Sequence, residues 1–161
     1  MSATSSIIEI RDYTEAALNS LVASSLFFQK KDVAILERER NIESYVCNFC
    51  TIKMKTSRRS GHTTSMIWVG QEFFSNPLFV GANQGITKNI ERMISSICEI
   101  STYDAKNMVR NVNIIDGTSY SPDAIFVDEV SFLSQKNNDD ILRFAVRCAK
   151  NHDKFCLVLI G

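Results

Sequence analysis

Three short apolar runs restrict the fold more than any other feature of the chain: Leu78 to Ala82 (LFVGA), Ala124 to Val127 (AIFV) and Phe155 to Ile160 (FCLVLI). Each is too short for a core helix and lacks the polar alternation of a half-solvated strand, so each reads as a strand covered on both faces. Tyr45 to Met54, rich in aromatic and β-branched residues, predicts another strand, and Asn111 to Ile115 a fifth, closed by the turn signal Asp116-Gly117. Helical patterns separate them. Apolar residues recur at helical spacing from Asp12 to Phe28, after a small polar start at Met1 to Ser6 expected to fray. The charged stretch Lys30 to Glu43 reads as a connector or short helix. A helix from His62 or Thr63 to Phe74 is ended by Asn76-Pro77. After a turn at Asn83, Gln84 and Gly85, the stripe Ile86, Ile90, Met93, Ile94, Ile97 and Ile100 predicts a helix capped by Thr87. Asn138 to Asn151 predicts the last one, capped by Asn137 or Asn138.

Strands alternating with helices imply an α/β fold, a three-layer sandwich around a mostly parallel central sheet, with an incomplete C-terminal sheet edge left open as an alternative. At 161 residues and 45% hydrophobic content, the chain suits one domain over 1–161. A helical segment is expected over 1–44 and the sheet core over 45–161. Lys and Arg together number 18, as do Asp and Glu, so any nucleic-acid surface must be local rather than global. The N-terminus has no basic segment followed by an apolar core, and no apolar run approaches the roughly 20 residues that span a bilayer. No membrane partner is expected. Five cysteines are an odd number, and several fall in apolar runs, so they read as reduced, structural thiols in an intracellular setting. Cys47 and Cys50 form a CxxC, but no second pair with zinc-ligand spacing accompanies it.

In a parallel α/β sheet, ligands bind beyond the carboxyl ends of the strands. Two chemistry-bearing stretches fall there. The first is Thr56 to Thr64 (TSRRSGHTT), a basic loop between a strand and a helix. Gly61 allows close backbone approach, the following helix offers unpaired amides and the positive end of its dipole, Arg58 and Arg59 bring charge, and Thr63 supplies a hydroxyl. That is the composition of a phosphate-binding loop, although the pattern GxxxxGK[ST] would have glycine at Thr56 and lysine at His62. The second is Asp128-Glu129 after the AIFV run. An aspartate there can hold Mg²⁺ and the glutamate can polarise an attacking water.

SRRSGHTT resembles the variant phosphate loop of viral DNA-packaging terminase large subunits. Their loop reads Ser-Arg-(Gln or Arg)-x-Gly-Lys-(Thr or Ser), often without the first glycine. LFVGANQGITKNIERMI, GTSYSPDAIFVDEVSFL and KFCLVLIG resemble, in order, segments that follow the loop in that family; RDYTEAAL resembles its adenine-side segment, with Thr14 where a glutamine is expected. The resemblance covers about Asp12 to Gly161. It implies a P-loop NTPase fold of the additional-strand class, with FCLVLI lying between the loop strand and the Asp-Glu strand.

The resemblance further implies ATP and Mg²⁺ as cofactors. Ser57, Arg58, Arg59, Ser60 and Gly61 would form the phosphate cradle, with His62, Thr63 and Thr64 completing the nucleotide site. Thr63 and Asp128 would hold Mg²⁺, Glu129 would be the catalytic carboxylate, and Arg58 would stabilise transferred charge. The implied work is hydrolysis-driven translocation of double-stranded DNA into a capsid, inside a virus's host cell and transiently at the procapsid. The implied partners are the capsid portal, the small terminase subunit and further copies of the chain or a completing polypeptide. No nuclease domain is expected within this sequence. His62 in the lysine position leaves two alternatives beside the motor: an NTPase-fold module without turnover, and a helicase-like ATPase of superfamily one, whose Asp-Glu strand and following segments are similar.

Overall fold

The computed structural model describes residues 3–56, 61–117 and 119–161, with side chains from residue 12 onward except at 116 and 117. Twelve regular elements alternate along them: α1 (Ala3–Phe28), α2 (Asp32–Arg40), α3 (Ile42–Tyr45), β1 (Thr51–Met54), α4 (His62–Phe73), β2 (Pro77–Gly81), α5 (Gln84–Ile97), α6 (Thr102–Asn107), β3 (Val109–Asn111), β4 (Ala124–Asp128), α7 (Gln135–Ala149) and β5 (Cys156–Ile160). The five strands form one all-parallel sheet in the order β1-β5-β4-β2-β3. β5 therefore lies between β1 and β4, as expected, and the sheet is open rather than closed into a barrel.

Side-chain alternation in the strands builds two cores. Phe79, Phe126, Cys156, Val158 and Ile160 face one side, where they pack with Leu18 and Val22 of α1, Met66 and Ile67 of α4, and Ile90 and Ile94 of α5. Leu78, Val80, Ile125, Val127 and Leu157 face the other, against Ile141, Phe144, Ala145 and Cys148 of α7 and against Tyr45, Val46 and Cys50. The result is helix, sheet, helix. β2 and β4 are buried at all five positions each, which is why their sequences carry no polar alternation.

Several boundaries differ from the sequence expectation. Tyr45 to Cys50 is not strand: Asn41 caps α3 by accepting a bond from the Ser44 amide at 3.0 Å, and the helical path continues through a π-turn over Val46–Cys50. Burial of Tyr45, Val46 and Cys50 overrides the β propensity of their side chains. The strand expected at 111–115 lies earlier in the chain, at Val109–Asn111. It ends at Asn111, whose side chain accepts from the Asn113 amide at 3.0 Å and turns the chain into a 3-10 segment over Val112–Gly117. Helix starts also move, because the capping side chains are Asn83 for α5 and Ser134 for α7, not Thr87 and not Asn137 or Asn138. Asn137 instead completes a capping box with Ser134. α1 begins at Ala3, within the segment expected to fray.

Gln29, just past α1, is 5% exposed and joins that helix to the sheet. Its amide donates to the Phe155 carbonyl at 2.8 Å and accepts from the Phe155 amide at 3.1 Å. The pair satisfies both backbone groups immediately before β5. Among the described residues, no helix is long and apolar enough to cross a membrane.

Candidate functional site

The carboxyl ends of β1, β5, β4 and β2 lie along one rim of the sheet, with Met54 opposite Ile160 and Gly81 opposite Asp128 in the strand registers. β1 and β5 remain joined just past their last paired residues: Gly161 donates to the Met54 carbonyl at 3.1 Å, and Thr56 donates to the Gly161 carbonyl at 2.9 Å. Ser57, Arg58, Arg59 and Ser60, expected to cradle phosphate, with Arg58 also expected in catalysis, lie outside the described residues.

Gly61 has φ 72° and ψ 21°, the left-handed conformation that glycine adopts without a Cβ penalty. It turns the chain into α4. Its carbonyl accepts from the backbone amide and the side-chain hydroxyl of Ser65, each at 3.0 Å, so the first turn is fixed. His62 and Thr63 are consequently the first two helical residues, aimed at the rim.

Both reach the same carboxylate. Thr63 Oγ1 donates to Asp128 Oδ2 at 2.8 Å, and His62 Nε2 stands 3.0 Å from Asp128 Oδ1 and 3.5 Å from Glu129 Oε1. Asp128 is the last residue of β4 and only 2% exposed. Its Oδ1 is within ion-pairing distance of the imidazole yet accepts no aligned hydrogen bond. The Asp128 carboxylate beside it holds the imidazole above the ordinary histidine range, with Glu129 adding to the effect and burial opposing it. On the far side of the ring, Nδ1 is hydrogen-bonded to Thr56 Oγ1 at 3.1 Å.

Glu129 leaves the sheet in a left-handed conformation, φ 57° and ψ 49°. A side chain at such a φ is strained, and strain of this kind gathers where a strand end presents a functional group. The Glu129 side chain is 33% exposed while that of Asp128 stays buried. Two adjacent carboxylates thus occupy different environments.

No family model, curated protein or solved structure matches the chain. The geometry stands by itself.

Four of the residues singled out in the sequence, His62, Thr63, Asp128 and Glu129, meet across 65 positions of chain. Thr64 sits on the first turn of α4 and makes none of these bonds. Thr56 and Ser65 were missed. Thr56 stands where the general pattern has glycine, and its hydroxyl, rather than its backbone, is what the histidine uses. A groove of about 660 Å³ runs beside the cluster on the α7 side of β1 and β5, lined in part by Lys53, Lys55, Leu157, Leu159, Val130 and Gly161. It excludes the His62 cluster, so the concave surface and the polar cluster are neighbours on the rim rather than one pocket.

Proposed function

We propose that the chain is a nucleotide-binding domain of the P-loop type that takes ATP with Mg²⁺, and that it serves as an ATPase motor of the kind found in the terminase large subunits it resembles. The observation that carries this is the 2.8 Å bond from Thr63 Oγ1 to Asp128 Oδ2. It joins the first turn of the helix after a basic loop to the end of the buried strand β4, which β5 separates from β1. Thr63 and Asp128 are the oxygen donors that would hold Mg²⁺. Asp128 Oδ1, buried without an aligned hydrogen bond and 3.0 Å from the His62 imidazole, has an open lone pair that fits a cation. The bound ion supplies charge neutralisation on the transferred phosphoryl group.

The remaining roles fall to residues of the chain. The amides at the start of α4 face an anion favourably. Glu129, more exposed than Asp128, is the carboxylate able to orient a water and accept its proton. Arg58 and Arg59 would meet the phosphates. Double-stranded DNA, a capsid portal, a small terminase subunit and an intracellular site at the procapsid in a virus's host cell belong to the same proposal. A further copy or completing polypeptide is supported by β1, which among the described residues pairs on one side only.

One observation favours a second reading, a domain that binds nucleotide without turnover: the His62 imidazole lies against both carboxylates that hydrolysis would need. Nucleotide binding and hydrolysis in the wild-type chain, His62→Lys and Glu129→Gln separate the two. For the motor, Mg²⁺-dependent ATP binding is expected in all three, with turnover raised in His62→Lys and lost in Glu129→Gln. Binding without turnover in both wild type and His62→Lys would leave the second reading standing. No ATP binding by any of them would end both.

A further inference from the structure

We infer that His62, Asp128 and Glu129 form a binding site for a divalent transition metal of the class that accepts imidazole nitrogen, such as Zn²⁺ or Co²⁺. The inference does not rest on the nucleotide reading, because it concerns the ion alone in the absence of nucleotide; it shares Asp128 with the Mg²⁺ assignment and adds His62 and Glu129. One ligand atom from each residue lies within 4.8 Å of the other two. His62 Nε2 is 3.0 Å from Asp128 Oδ1 and 3.5 Å from Glu129 Oε1. Metal bonds of about 2.1 Å to such donors put neighbouring ligands about 3.0 Å apart on an octahedral ion and about 3.4 Å apart on a tetrahedral one. The two imidazole separations match those values.

A second, independent observation points the same way. Asp128 is 2% exposed, and its Oδ1 is buried without an aligned hydrogen bond while directed into the cluster. Its other oxygen is already committed to the Thr63 hydroxyl. The atom without an aligned hydrogen bond is therefore the one that meets the imidazole, 3.0 Å from Nε2.

The surroundings orient the ligands as metal sites require. A ligating histidine usually has its other ring nitrogen hydrogen-bonded, which selects the tautomer and fixes the ring. Thr56 Oγ1, 3.1 Å from Nδ1, holds the ring, and its hydroxyl oxygen accepts from Nδ1–H in the tautomer whose Nε2 lone pair binds a metal. Thr63 does the same for Asp128. One imidazole and two carboxylates balance the charge of a divalent ion, and three protein ligands leave a position open for water. An imidazole ligand also discriminates. Mg²⁺ prefers oxygen donors and retains its water, whereas borderline ions accept mixed nitrogen and oxygen sets.

The test is a Co²⁺ titration of the full chain without nucleotide, followed by the visible absorption of the bound ion. It is done in a Cys47→Ser background, which removes the exposed thiol. One Co²⁺ per chain is expected, with no thiolate charge-transfer band and no displacement by a large excess of Mg²⁺. His62→Asn should weaken binding by at least ~100-fold, and Thr56→Val, which leaves all three ligands in place, by ~10-fold. Thermal unfolding of both variants checks that they remain folded, and Co²⁺ should raise the midpoint of the parent but not of His62→Asn. Undiminished binding in His62→Asn, full displacement by Mg²⁺, a thiolate band, or no binding at millimolar Co²⁺ would each overturn the assignment.

Discussion

Nε2 of His62 lies 3.0 Å from Oδ1 of Asp128, which ties the first residue of α4 to the last residue of β4. The contact gives the metal-free protein a titratable link between helix and sheet. Protonated imidazole is stabilised by the two carboxylates in the folded state and not in the unfolded chain, so its folded pKa is raised. The contribution is fully present below the ordinary histidine pKa of the unfolded chain and is lost as pH rises through the higher folded value. With a chelator present, the urea midpoint is expected to fall across that window. His62→Asn should remove that part of the fall, and an identical profile in the variant would show that the imidazole carries no such linkage.

The hydroxyl of Thr63 matters in a different way. Its bond to Asp128 Oδ2 is made at a buried carboxylate, where losing a donor leaves the acceptor desolvated and unpaired. Thr63→Val keeps the shape and removes the donor. A loss of about 1–3 kcal/mol is expected from equilibrium unfolding. Thr63→Ser, which keeps the hydroxyl, should recover most of it; unchanged stability in Thr63→Val would show that the bond contributes nothing.

Glu129 separates backbone strain from side-chain chemistry. Its left-handed φ of 57° costs a residue with a Cβ about 1 kcal/mol that glycine escapes. Neither Glu129→Ala nor Glu129→Gly retains the carboxylate near His62, so their difference isolates the backbone. Glu129→Gly is expected to be the more stable of the two by about 1 kcal/mol in chemical denaturation. An alanine variant of equal or greater stability would mean that the strand end relaxes out of the left-handed region.

Much of this arrangement was legible in the sequence because parallel strands buried on both faces must be continuous and apolar. AIFV and FCLVLI could be little else, and residues just past them had to lie on the ligand-binding rim. Tyr45 to Cys50 was misread for the opposite reason. Val46, Phe49 and Tyr45 favour strand locally, but their fate is decided by Asn41, which caps a helix from four positions upstream of Tyr45, and by tertiary burial. Asn111 shows the same limit: NVNII looks like strand until a side chain bends its own backbone. The pairing of His62 with Asp128 and Glu129 was hidden by analogy. As a substitute for lysine, His62 looked like a deficit at the phosphate end, and only three-dimensional placement brings its ring onto the carboxylates and Thr56 behind it.

The thiols give a graded test of the two-sided core. Burial pushes Cys50 up to about 12 and Cys148 and Cys156 up to about 11, whereas Cys47 is exposed. Because the thiolate is the nucleophile, alkylation at mildly alkaline pH followed by mass spectrometry should label Cys47 first and the three buried thiols only on unfolding. Early labelling of Cys50 would contradict the packing of the π-turn against α7.

Gly81 is where the fold can least accept a side chain near the site. A Cβ there would lie 2.6 Å from the backbone nitrogen of Thr87 and 2.8 Å from its Cα, and a backbone cannot swing aside as a flexible side chain can. Gly81 is also the β2 residue in register with Asp128. Gly81→Ala must therefore push α5 away from the sheet or shift the end of β2, and an overpacked core position of this kind costs about 1–3 kcal/mol. Gly85, four residues on, provides the contrast: its added Cβ would meet only Asn83 Oδ1, at 3.3 Å, on the first turn of α5. There the gain in helix propensity, about 0.5–1 kcal/mol, opposes a mild contact. Urea unfolding of the two alanine variants should thus move in different directions or differ by at least about 1 kcal/mol, with Gly81→Ala the less stable. Equal midpoints would show that α5 approaches β2 less closely than its glycine implies.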